Sequence, residues 1–142
     1  MPFFDTSALV PLCVNESASS AAGRIWKSSS GQIIWCETPV ELESAIARLL
    51  RTNQLDMVEF NRAKKRLGNL ETKWEIIEHD HRIIQLARTF PFQYGLKAAD
   101  SLQLAAALVW CNEHPKNRDF VSADAGLLKA AGSAGFTVHG LG

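Results

Sequence analysis

The chain has 142 residues, 46% hydrophobic and 21% charged. That is the length of one ordinary domain and a composition that excludes a disordered or fibrous chain. Fifteen Lys and Arg balance fifteen Asp and Glu, for a formal net charge of zero, which argues against a histone-like binder working through a general positive field and leaves only local basic patches.

The pattern opens with a short apolar run, residues 2–4, ending in Asp5, and a helix over residues 7–14 follows. A second helix is expected over 17–28, then a turn at Ser28-Ser29-Ser30-Gly31 and a buried β-branched strand over 33–36. Thr38-Pro39-Val40-Glu41 reads as a capping box, with Thr38 as N-cap, Pro39 at the first helical position and Glu41 at N3, and the helix continues to Arg51. Asn53 breaks it, and an amphipathic segment over 55–70 completes a helical hairpin. Residues 73–77 suit another strand and 80–89 a helix, which Pro91 and Gly95 interrupt before a long segment over 97–110, apolar almost all round and suited to the core. A strand over 120–122, a helix over 125–131, a turn over 132–135 and a strand over 136–138 close the pattern. Strands alternating with helices predict an α/β layer fold, a single unit, with a parallel sheet.

Cys13, Cys36 and Cys111 stand far apart with no CxxC spacing, which points away from zinc and towards core thiols in a reducing compartment. The N-terminus MPFFDTSALV lacks a signal-peptide pattern and no run reaches 18 apolar residues, so a cytoplasmic location is expected.

Chemistry is concentrated in four acids. Asp5 and Asp124 each follow a strand, while Glu41 and Asp100 each lie in a first helical turn. In a doubly wound sheet these places share one edge, that of the strand carboxyl ends, where ligands bind. Two carboxylates about 4 Å apart repel by roughly 4 kcal/mol at an effective dielectric near 20, so their meeting calls for protonation or a cation. Hard oxygen donors without a His or Cys motif suit Mg²⁺ or Mn²⁺, which can activate a water against a phosphodiester. Each acid also has a local explanation, as a cap or as a complement to a helix dipole. Asp100 resists it most, because a charge in so apolar a segment is expensive unless it serves something.

Four stretches carry a family resemblance: FDTSALV at 4–10, VELESAIARLL at 40–50, LKAADSLQLAAAL at 96–108 and FVSADAGLLKAAGSAGFTV at 120–138. Together they resemble PIN-domain nucleases, and particularly the VapC-like toxins of toxin–antitoxin pairs. The resemblance implies a three-layer α/β/α PIN-like fold with a parallel five-stranded sheet. It implies Asp5, Glu41, Asp100 and Asp124 as the catalytic, metal-binding acids, with Ser7 and Ser122 as polar supports, and Mg²⁺ or Mn²⁺ as cofactor. It also implies endoribonuclease activity on structured RNA and a cognate antitoxin partner. Glu43, two residues after Glu41, is a rival for its place but is turned roughly 200° away on a helix. Gln103 stands three residues after Asp100, where many relatives carry His.

Six of the fifteen basic residues, Arg48, Arg51, Arg62, Lys64, Lys65 and Arg66, lie on the expected hairpin. They suit guidance of an RNA backbone or, for the 62–66 cluster, a solvated face. Arg48, seven residues after Glu41, returns to nearly the same helical face and is a candidate supporting residue. The apolar side of the 55–70 segment is a candidate surface for a homodimer or an antitoxin. His79 and His81 are expected to be solvated, and the four tryptophans to serve packing. Two rival functions stand beside the nuclease: a PIN-like module that binds RNA or protein without cutting, and a phosphatase or phospho-acceptor with Asp5 as nucleophile. The latter lacks a second Asp two residues on, where Ser7 stands.

Overall fold

In a computed structural model, which describes residues 1–141, the chain alternates strands and helices around one sheet. In chain order these are β1 (Phe3–Phe4), α1 (Thr6–Cys13), α2 (Ser19–Lys27), β2 (Gln32–Trp35), α3 (Thr38–Arg51), α4 (Met57–Glu71), β3 (Trp74–Ile77), α5 (His81–Ala87), α6 (Phe90–Tyr94), α7 (Ala98–Trp110), β4 (Asp119–Ser122), α8 (Ala125–Ala134) and β5 (Thr137–Gly140). The strands form a five-stranded sheet in the order β3-β2-β1-β4-β5, every pair parallel, as the alternating pattern predicts.

Successive strand residues face opposite sides of the sheet, and the two cores follow from that. Phe3, Ile33 and Phe120 pack with Ile83 of α5, Leu104 to Leu108 of α7 and Leu127 of α8. Their neighbours Phe4, Ile34 and Val121 pack with Leu9 of α1, Leu42 and Ile46 of α3, and Leu67 and Leu70 of α4. The central strands β1, β2 and β4 are therefore buried at nearly every position, Gln32 and Ser122 included, whereas the edge strands β3 and β5 are half-exposed. The chain places β2 and β3 on one flank of β1 and returns to the other flank for β4 and β5. The connections diverge between β1 and β4, and a crevice opens there beyond the strand carboxyl ends.

Several local expectations are corrected. The capping box falls one helix later: Glu37 is the N-cap of α3 and its side chain makes no capping hydrogen bond, while Asp56 and Glu59 form the reciprocal pair that starts α4. Thr38 is buried and its hydroxyl is engaged by Gln103, so it is not free to cap. Pro91 starts α6 instead of breaking a helix, and Gly95, at φ 67°, ends it. Residues 132–134 belong to α8, which runs on to Gly135 at φ 116°. A Cβ on Gly132 would lie 3.8 Å from Val138, an ordinary contact, so the helix passes through that position without needing glycine. The apolar side of α4 is not an open surface, since Ala63, Leu67 and Leu70 are buried against the sheet; Met57 and Val58 are its exposed apolar residues. Cys13 and Cys111 are buried as expected, while Cys36 is only partly so. Among the described residues no helix is long and apolar enough to cross a membrane.

Candidate active site

A cleft of about 410 Å³ lies at the carboxyl edge of the sheet, lined among others by Asp5, Ser7, Glu41, Arg48, Asp100, Gln103 and Asp124. All four expected acids thus face one space, each from the start of a different helix. Asp5 ends β1 and precedes α1, Glu41 lies in the first turn of α3, Asp100 in that of α7, and Asp124 precedes α8.

Their surroundings differ. Asp5 is 3% exposed. Although it occupies the N-cap position of α1, its side chain makes no cap hydrogen bond; both carboxylate oxygens instead accept from Ser7 Oγ, at 2.8 and 3.0 Å. Ser7 Oγ also lies 3.1 Å from Ser122 Oγ and accepts from the Ala123 amide, which ties the end of β1 to the end of β4. Burial pushes the Asp5 carboxyl up to about 7, against the opposing hydrogen bonds from Ser7 and Ser122, with the Asp100 charge adding to the rise. Glu41 and Asp100 are half-buried and shifted the same way, chiefly by burial. The charge of Asp100 also raises Glu41, and that of Asp124 raises Asp100, partly offset by Lys97. Asp124 is exposed and does cap its helix, accepting from the Leu127 amide at 2.8 Å.

Glu43 is excluded by the helical turn that separates it from Glu41: it points away and pairs with Lys64. Of the basic cluster, Arg48 alone lines the acidic cleft, while Arg66 donates to the Cys13 carbonyl at 3.1 Å. His79 sits 3.1 Å from Glu37 and edge-on to Trp35, and Asp80 caps α5, so the His79-Asp80-His81 run forms no site of its own. Two members of the site, Glu16 and Thr6, escape sequence reasoning, and a third, Gln103, is marked there only as standing where many relatives carry His. Glu16 adds a fifth acid to the lining, Gln103 donates to the Glu41 carboxylate, and Thr6 lines the cleft beside them, its hydroxyl 3.1 Å from Gln103 Nε2. Only a polar residue one turn beyond Asp100, in a run of Leu and Ala, signals Gln103.

Among the described residues no three acid, His or Cys side chains stand close enough to form a ready-made metal cage. In donor chemistry the lining nonetheless fits a hard divalent cation: it is rich in carboxylate and hydroxyl oxygen, holds no thiol or imidazole, and its acids repel one another.

Solved structures share this architecture. FitAcB from Neisseria gonorrhoeae superposes with a TM-score of 0.71 at 18% identity, covering 99% of this chain and 98% of that one. The chain has their fold. It is the PIN-like α/β arrangement that the motifs implied, and it recurs in PAE2754 from Pyrobaculum aerophilum, with a TM-score of 0.64 at 20% identity over 96% of this chain and 87% of that one. A toxin–antitoxin complex from Klebsiella pneumoniae matches with a TM-score of 0.60 at 17% identity, covering 87% of each chain. No family model matches the sequence, and no curated protein matches it either.

Proposed function

We propose that the protein is a Mg²⁺- or Mn²⁺-dependent endoribonuclease that acts in the cytoplasm as the toxin of a toxin–antitoxin pair. The observation that carries this reading is the gathering of Asp5, Glu41, Asp100 and Asp124 from four helix starts into one cleft. One of these carboxyls is buried and held near neutrality. A fold shared with a toxin–antitoxin complex adds to it. Those four residues would hold the ion, and the chemistry such an ion supplies is charge neutralisation on a phosphodiester and activation of a water. Ser7 fixes the Asp5 carboxylate, Arg48 offers a cation to a phosphate at the cleft wall, and the N-termini of α1, α3, α7 and α8 favour an anion there. A small antitoxin that covers the cleft would silence it, and a homodimer is part of the same reading.

The test is RNA cleavage with Mn²⁺ by wild type, Asp5→Asn and Asp100→Asn. Both variants should lose at least about 100-fold, the scale for removing one preorganised charged group from such a site, while circular dichroism stays unchanged. Undiminished cleavage rejects the proposal. The absence of a ready-made cage favours a second reading, a module that binds RNA or protein without cutting. Thermal melts separate the two: a metal site gains about 2.7 kcal/mol at a Mn²⁺ concentration of 100 times Kd, and a pure binder gains none.

A further inference from the structure

Gln103 is 1% exposed in a helix stretch otherwise filled by Leu and Ala. A buried amide is expensive unless its polar atoms are paired. Its Nε2 lies 2.9 Å from Glu41 Oε1, 2.9 Å from Thr38 Oγ1 and 3.1 Å from Thr6 Oγ1. An amide nitrogen carries two protons for these three oxygens, and the bond to a carboxylate is the strongest available. Glu41 of α3 is thus held by a donor from α7 that also reaches Thr6 at the start of α1, beside Asp5.

The carbonyl of Gln103 has no partner among the described residues and is buried. Turning the amide over would not relieve it, because that would set Oε1 2.9 Å from the Glu41 oxygen, a contact between two acceptors. The orientation that serves Glu41 therefore leaves an unsatisfied oxygen in the core. An apolar side chain of the same length would fill the space without that cost. The amide is poor as core filling, and the one charged partner it reaches is the Glu41 carboxylate.

We infer that Gln103 is a positioning residue: it fixes the Glu41 carboxylate in the cleft and thereby sets the affinity of the site for a divalent cation. The inference rests on the metal reading of the cleft, and its test separates the two. Mn²⁺ affinity is measured by calorimetry for wild type, Gln103→Met, Glu41→Gln and the double variant. Gln103→Met should weaken binding about 10-fold or more, the effect of removing an outer support of a metal ligand. In the Glu41→Gln background it should change affinity less than about 2-fold, because nothing remains to be positioned. Equal losses in both backgrounds, or no loss in either, overturn the inference.

A second measurement needs neither metal nor a core substitution. In the metal-free protein the side-chain amide protons of Gln103, seen by ¹H–¹⁵N NMR, should exchange slowly in wild type and shift upfield with faster exchange in Glu41→Gln. Unmoved resonances overturn the contact itself. If wild type gives no Mn²⁺ heat, the metal reading fails together with the affinity half of the inference, and the amide spectrum alone then decides whether Gln103 holds Glu41.

Discussion

The two ends of the sheet each open into a cleft of similar size, about 410 Å³ at the carboxyl edge and about 370 Å³ at the amino edge. Each contains a strand-end aspartate. At the amino edge Asp119 lies 2.9 Å from His139 Nε2, among Ser28, Ser29 and Ser30 at the end of α2. Its polar groups are matched to one another and open to water. At the carboxyl edge the acids outnumber the cations, one of them is buried, and a carbonyl in the wall goes unpaired. Volume does not distinguish the two ends. Uncompensated charge does, because a folded chain keeps it only where something else neutralises it.

That contrast is broken most forcefully by Asp5. Its carboxyl is raised from 3.8 to about 7 in the fold, so the folded state binds the proton more tightly than the unfolded one. The fold therefore loses stability as pH rises from about 4 to about 7, and the penalty is complete above 7. Metal-free Asp5→Asn should accordingly be more stable than wild type at pH 8 by about 4 kcal/mol, a gap that closes near pH 4. Chemical denaturation at the two pH values measures it, and a less stable variant at pH 8 would show that the carboxylate is well solvated. Mn²⁺ should bind more tightly as pH rises over the same window, since the proton must leave first.

Next in size, Arg48→Ala should weaken RNA binding and reduce the slope of log affinity against log salt by about one contact, with Mn²⁺ affinity retained. An unchanged slope would place the RNA elsewhere. Asp124 serves two purposes that substitution can separate. Asp124→Ala should cost about 1 kcal/mol through loss of the cap, whereas Asp124→Asn keeps the cap within a few tenths; both should weaken Mn²⁺ binding. The smallest effect belongs to the amino edge, where Asp119→Asn should change stability by no more than about 1 kcal/mol and leave Mn²⁺ and RNA binding alone. A loss of cleavage there would erase the distinction between the two ends.

The PIN-like sheet was legible in the residues because parallel strands buried on both faces read as short apolar runs, and helices between them as 3.6-residue patterns. Helix ends were less so. Thr38 to Glu41 carries the letters of a capping box, yet the box forms at Asp56 and Glu59, because burial of Thr38 beneath α7 overrides a local preference worth only about 1 kcal/mol. Likewise Asp5 and Asp124 look alike as N-caps, but only Asp124 caps its helix. Ser7 captures the Asp5 carboxylate first.

The sequence alone determined that strands and helices alternate and that the acids stand at helix starts, since those features depend on neighbours within one or two turns. Tertiary structure decided which acid is buried, that Glu16 joins the wall, and that Gln103 reaches the side chain of Glu41 sixty-two residues away. These are contacts between separate layers, and spacing along a chain fixes a face of a helix but not what is packed against it.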